Sequence, residues 1–218
     1  MRTIAFVTQR GGSGKSTLAI SLAVAAHEMN ERVCVVDMDT QGPLTNWIKK
    51  RGGDDIALVS TGAARLAAVL AGLGTEGFTL VIIDTPGAEG PASAAAMATA
   101  DLNIIPSRPS MFDLRASAKT RAVLKEAGGD FVFLLNQCPP AQQSARVKDG
   151  VETLEEMGGL ISPLIVSRAD YQEAARRGWG VTELNPHGAA ADEMRSLWAA
   201  IRLRMANTRR RSSACKAA

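Results

Sequence analysis

Short apolar runs alternate with stretches of helical periodicity along the whole chain. Ile4 to Val7 is the first run; after it Leu18, Leu22, Ala25 and Met29 recur at the spacing of one helix face. Arg32–Val36 and Ile56–Val59 predict a second and a third strand, and Ala63–Leu73 an Ala- and Leu-rich helix. Phe78–Ile83, Leu102–Ile105 and Phe131–Leu135 predict three more strands, with a helix over about Met111–Ala127. A helix around Val147–Met157 leads to a last strand near Leu164–Val166. The final helix, about Ala189–Met205, places Met194, Leu197, Trp198, Ile201 and Met205 on one face. Such alternation is the pattern of an α/β domain: a mostly parallel, twisted sheet with right-handed crossovers and helices on both faces. Neither a repeat nor an internal linker interrupts it, so 1–206 is expected to form one domain and 207–218 a flexible basic tail.

The composition supports this picture. Aromatic residues are only 4% of the chain, while Ala, Val, Leu and Gly abound, as a buried parallel sheet requires. Cys34, Cys138 and Cys215 form no metal-ligand spacing, and Cys34 lies in an apolar run, where a thiol packs as a small hydrophobe. The N-terminal run is too short for a secretion signal, and no apolar run approaches a membrane span, so a reduced, cytoplasmic protein is expected.

Charge adds an asymmetry. Seven of the 25 Lys and Arg residues lie from Arg195 onward, with no acidic residue among them; the remainder carries 18 basic against 22 acidic residues. A basic end on an acidic body suits a polyanion, nucleic acid or anionic membrane, or else a merely solvated tail.

The chemistry concentrates at strand ends. Gln9-Arg-Gly-Gly-Ser-Gly-Lys-Ser-Thr17 stands between the first predicted strand and helix. Gly11, Gly12 and Gly14 let the backbone curl around Ser13 so that successive N–H groups face one anion. Lys15 adds a mobile cation and Ser16 a hydroxyl for Mg²⁺, which makes this a nucleotide phosphate-binding loop. Asp84 closes the run Leu80–Ile83 ahead of Thr-Pro-Gly87, the placing of a carboxylate held near that Mg²⁺. Asp37 and Asp39 end the second strand two residues apart; by themselves two such acids also suit an ordinary turn.

Taken together, Arg10–Thr17, Val35-Val-Asp-Met-Asp-Thr-Gln41 and Val81-Ile-Ile-Asp-Thr-Pro-Gly87 resemble the nucleotide motifs of the ParA/MinD family of deviant-Walker, SIMIBI-like P-loop ATPases. The resemblance continues through Ala100–Pro106, Leu134-Leu-Asn-Gln137 and Arg168–Ala174 with Gly178. It covers nearly the whole chain and lies closest to the short ParA-like partition proteins that lack an N-terminal DNA-binding domain.

The resemblance implies ATP and Mg²⁺ as cofactors and a role for each matched residue. Lys15 would contact the β- and γ-phosphates, Ser16 would ligate Mg²⁺, and Thr17 would lie by the α-phosphate. Asp39 would position the attacking water, Asp37 would support it, Asp84 would be an outer-sphere Mg²⁺ group, and Asn136 would contact adenine. Arg10 holds the signature-lysine position, which in the family reaches across an ATP-sandwich homodimer to the partner's phosphates. Two residues depart from the family pattern: Arg replaces Lys at position 10, and Thr40 stands where Pro is usual. Arg keeps the charge but presents a planar fork in place of a compact point charge.

The implied activity is a weak intrinsic ATPase for DNA partition or cargo positioning. It would bind DNA nonspecifically in the ATP state and be stimulated by a ParB-like centromere-binding or cargo adaptor protein. Arg195, Arg202, Arg204, Arg209, Arg210 and Arg211 are the candidate DNA contacts, with Arg176, Arg177 and Lys49-Lys50-Arg51 weaker ones that suit solvated turns equally well. A nucleoid-associated cytoplasmic location would follow. A MinD-like membrane regulator needs an amphipathic C-terminal helix, and Thr208–Ala218 has no apolar face to insert. A ParA-like accessory of a conjugation or secretion system would share every motif.

Overall fold

The computed structural model describes residues 1–141 and 144–216, with 209–216 described by backbone alone. The strands are β1 (Arg2–Phe6), β2 (Val33–Asp37), β3 (Ala57–Ser60), β4 (Leu80–Asp84), β5 (Leu102–Ser107) and β6 (Phe131–Leu135). All pair in parallel in the order β3-β2-β4-β1-β5-β6. The helices are α1 (Lys15–Glu28), α2 (Pro43–Arg51), α3 (Leu66–Thr75), α4 (Pro91–Thr99), α5 (Met111–Glu126), α6 (Ala145–Glu156), α7 (Ala169–Arg177), α8 (Val181–Leu184) and α9 (Ala189–Lys216).

Side chains alternate across the strands and build two cores. Ile4, Phe6, Val33, Val35, Leu80 and Ile82 face α1, α2 and α7–α9, whereas Ala5, Val7, Cys34, Val36, Val81 and Ile83 face α3–α6. Burying each of the larger aliphatic side chains contributes roughly 1.5–3 kcal/mol. The predicted one-faced pattern of α1 is too modest. Residues 18–26 are buried without interruption, because the sheet covers one side of the helix and α7, α8 and α9 cover the other.

Two expectations need correction. Leu164–Val166 forms no strand. Segment 160–167 runs beside β6 and the residues that follow it, through isolated bridges of Leu160 with Phe133 and of Val166 with Cys138, and Pro163 between them has no N–H to give to a ladder. The final helix does not stop near Met205; it runs to Lys216, so the expected boundary at 206/207 falls inside it. The periodicity also passed over α2 and α4, whose first residues are Pro43 and Pro91, each preceded by a glycine. Among the described residues no helix is long and apolar enough to cross a membrane.

Candidate nucleotide site

The sheet order explains why distant motifs meet. β1 and β2 both flank β4, and Asp37 and Asp84 are direct register partners at the carboxyl ends of their strands. The loop that follows β1 therefore rises beside both acids, in the crevice where open α/β sheets place their ligands.

Within that loop, Gly12 and Gly14 take left-handed φ angles of 76° and 93°, and Gly14 caps α1 without any side chain bonding to the helix N-terminus. The first N–H groups of α1 are thus left for an anion. The Ser16 hydroxyl donates to Asp84 Oδ2 at 2.6 Å, joining the loop to the end of β4. Gly87 closes the same side: a Cβ there would stand 2.8 Å from Gly11 Cα, so only glycine lets the segment after Asp84 approach the loop this closely.

Lys15 is buried, and its ammonium reaches the Arg10 carbonyl only at 3.5 Å. Burial lowers its pKa, while the carboxylates of Asp84 and Asp39 oppose that shift. Asp84 is fully buried, and loss of water pushes its pKa up to about 7 despite the Ser16 hydrogen bond and the Lys15 charge. Its Oδ1 and the Ser13 hydroxyl are both buried without a hydrogen-bond partner. Two orphaned polar atoms beside a helix N-terminus and a buried ammonium fit a magnesium–phosphate group. Asp84 and Ser16 would hold the cation, and phosphate and water oxygens would complete its shell.

The two acids after β2 divide their tasks. Asp37 Oδ1 accepts the Asp39 N–H at 3.2 Å, and Oδ2 accepts the Thr45 N–H at 2.9 Å and the Thr45 hydroxyl at 3.0 Å. Asp37 thus fixes the turn that carries Asp39 and the start of α2. Asp39 is half-buried, and among the described residues its carboxylate accepts only the Gln41 N–H, at 2.9 Å. Thr45 carries no motif signature; only its hydrogen bonds reveal it.

A cleft beside the loop is lined by Gly14, Thr17, Leu18, Asn136, Tyr171 and Gln172 among others. Asn136 donates from Nδ2 to the Ser13 carbonyl at 2.7 Å, and Gln137 from Nε2 to the Gly12 carbonyl at 3.2 Å. Tyr171, from α7, is kept protonated far above its usual range by burial and by the neighbouring Glu193 carboxylate.

Arg10 lines a second cleft together with Arg108, Asp113 and Gln137. Its Nε is 3.2 Å from Asp113 Oδ2, and its guanidinium stacks 5.8 Å from the Phe112 ring centroid. Asp113, in the first turn of α5, also accepts Arg108 Nε at 3.0 Å. Neither Arg108 nor Asp113 stood out in the sequence, since a Ser-x-x-Asp at a helix start reads as an ordinary cap.

Among the described residues, the basic candidates differ in how far their own chain engages them. Arg195 donates to the Pro186 carbonyl at 2.6 Å and pairs with Glu28; Arg204 donates to Asp130 at 2.6 Å and to the Phe131 carbonyl at 2.9 Å. Arg202 is exposed. The side chains of Arg209, Arg210 and Arg211 lie outside the described residues. Of the weaker candidates, Lys49–Arg51 and Arg176–Arg177 occupy helix ends rather than turns. Arg51 is largely buried and bonds Asp55 and Glu183, while Arg176 and Arg177 share Glu173.

A parallel sheet whose first strand feeds a glycine-rich anion loop, with carboxylates on the neighbouring strand ends, defines a P-loop nucleotide-binding protein. The family model for the CobQ/CobB/MinD/ParA nucleotide binding domain matches residues 4–181, and the chain belongs to this family of ATPases. It is 34% identical over 205 residues to maintenance of carboxysome distribution protein A of Gloeobacter kilaueensis, covering 89% of this chain and 91% of that protein. It is 27% identical over 155 residues to the chromosome-partitioning ATPase Soj of Thermus thermophilus, covering 58% of this chain and 62% of Soj. The solved apo McdA of Cyanthece superposes with a TM-score of 0.79 at 19% identity, over 91% of this chain and 98% of McdA.

Proposed function

We propose that this chain is a dimerising ATPase of the partition and positioning type, using ATP and Mg²⁺ to switch its grip on DNA. The observation that carries the reading is the junction of Ser16 with Asp84, where a buried carboxylate oxygen has no partner beside a buried lysine. The names of its relatives, one a chromosome-partitioning ATPase and one a carboxysome-distribution protein, supply the class of task.

In this reading Lys15 and the N–H groups of the loop draw charge from the β- and γ-phosphates, and Thr17 lies by the α-phosphate. Mg²⁺, when bound, supplies further charge neutralisation at Ser16 and Asp84. Asp39 has one carboxylate oxygen outside its turn and uses it to orient water, on a backbone that Asp37 and Thr45 hold still. The Asn136 amide is oriented by its bond to Ser13, which leaves Oδ1 to accept from the exocyclic amine of adenine. Arg10 reaches the phosphates of a second copy, so that ATP itself joins the subunits, and a ParB-like or cargo adaptor stimulates a slow intrinsic hydrolysis. The dimer binds DNA through phosphate contacts from basic residues, without reading sequence, and this gives a nucleoid-associated location.

The test is DNA binding measured by fluorescence anisotropy with ADP, ATP and a non-hydrolysable ATP analogue. Binding to unrelated duplexes that requires ATP or the analogue is the expected result. Binding that ignores the nucleotide, or no binding at all, would remove the DNA arm of the proposal.

A further inference from the structure

A loop that turns all its N–H groups toward one anion must turn carbonyls the other way, and each of those carbonyls takes a donor from a side chain or from water; the Ser13 carbonyl is met in the interior, the Gly12 carbonyl at the surface. Here the donors come from two successive amide side chains immediately after β6. Asn136 Nδ2 meets the Ser13 carbonyl, and Gln137 Nε2 meets the Gly12 carbonyl.

The fit is reciprocal. A Cβ on Gly14 would stand 2.4 Å from Asn136 Nδ2 and 3.2 Å from Gln137 Nε2, so glycine at this position is what lets both amides close beneath the loop. Gln137 also sits at φ +52°, a left-handed backbone that disfavours a residue carrying a Cβ. Glycine would relax that backbone, but it could not reach Gly12. Strain of this kind concentrates where the surroundings hold a side chain in place for a purpose.

We infer that Gln137 is a positioning residue for the phosphate loop: by donating to Gly12 it holds the loop's N–H groups toward the β-phosphate. The inference rests on the nucleotide-site reading above but makes a separate claim. Asn136 and Gln137 both line the base cleft. What sets Gln137 apart is its bond to Gly12, within the glycine-rich turn itself, so its removal should be felt according to the phosphates a ligand carries.

The experiment compares Gln137→Gly with the unchanged protein by calorimetric titration of ADP and AMP, alongside thermal unfolding without nucleotide. Glycine removes the amide and relieves the backbone at once. The nucleotide-free protein is therefore expected to unfold at the same temperature or higher. ADP affinity is expected to fall about five-fold, the effect of one hydrogen bond, while AMP affinity stays within about two-fold. Gln137→Glu, which keeps the length but cannot donate, is expected to match or exceed the loss in ADP affinity. Unchanged ADP affinity in both variants would overturn the inference, and so would an equal loss for ADP and AMP. Failure of the unchanged protein to bind ADP would instead overturn the nucleotide-site reading itself.

Discussion

Arg10 and Asp113 form an ion pair, Nε to Oδ2 at 3.2 Å, between the phosphate loop and the first turn of α5. Asp113 is almost fully buried, and its second oxygen is taken by Arg108. A guanidinium held this way within its own chain must leave Asp113 before it can touch a second copy's phosphates. The pair is then a cost of dimerisation, modest because Arg10 is 40% exposed and the charge is screened. Asp113→Asn, which keeps the shape and the helix cap, is expected to shift ATP-dependent dimerisation to a protein concentration about two- to five-fold lower. Arg10→Ala is expected to keep nucleotide binding and lose the dimer. Light scattering across a concentration series reads both. A dimer that weakens in Asp113→Asn would show instead that Asp113 presents Arg10 rather than restraining it.

Asp84 predicts an unusual pH dependence in the metal- and nucleotide-free protein. Burial lifts its pKa to about 7 from an ordinary 3.8, so between those values the folded state holds a proton that the unfolded chain has released. The folded state therefore loses stability as pH rises through this window, and the full contribution is present only at its acid end. In EDTA, the unfolding temperature of the unchanged protein is expected to drop more between pH 5 and pH 8 than that of Asp84→Asn. Asparagine preserves the acceptor for Ser16 and carries no titrating proton. Parallel curves for the two proteins would mean that Asp84 is already ionised at pH 5.

The elements bearing most directly on the site were legible in the sequence because each obeyed a local rule. The run Leu80–Ile83 ended in an acid, and the glycines of 11–14 stood between a strand and a helix, so β1, β4 and the loop could be read from neighbours in the chain. What escaped were relationships across it. Thr45 supports Asp37 over eight residues, Gln137 meets Gly12 over 125, and Asp113 meets Arg10 because β5, which leads into α5, pairs with β1. The last two pairings depend on strand order, which periodicity does not encode, and the first on the geometry of one turn. The false strand at Leu164–Val166 shows the opposite error. The apolar residues do pack against the sheet, but Pro163 interrupts the ladder they would have made.

Asp37 and Asp39 should separate cleanly on mutation, because they differ in what they hold. Asp39→Ala gives up one turn hydrogen bond on a half-buried residue, a loss of about 1 kcal/mol at most in stability. Phosphate release is expected to fall at least a hundred-fold while ATP still binds, the consequence of leaving the water unoriented. Asp37→Ala removes an acceptor of three hydrogen bonds at a buried position and is expected to lower stability by about 2–3 kcal/mol. Chemical denaturation and a phosphate-release assay check the two together. Normal turnover in Asp39→Ala would move the water-positioning role to another residue.

The basic end invites a comparison of two arginines that the helix keeps close. Arg204 is tied to Asp130 and to the Phe131 carbonyl at the start of β6, whereas Arg202, two residues earlier, is exposed. Freeing Arg204 for a phosphate would break two existing bonds, so Arg204→Ala is expected to weaken the fold more than DNA binding. Arg202→Ala should do the reverse. Removing 209–218 takes away Arg209, Arg210, Arg211 and Lys216 together. If these meet DNA, the slope of log affinity against log salt should flatten by roughly 0.9 for each phosphate they neutralise, at any duplex sequence. An unchanged slope in the truncated protein would place the phosphate contacts on the folded body. Arg202 is then the first residue to test, because its side chain is exposed and its charge is shared only at a distance with the Glu31 carboxylate.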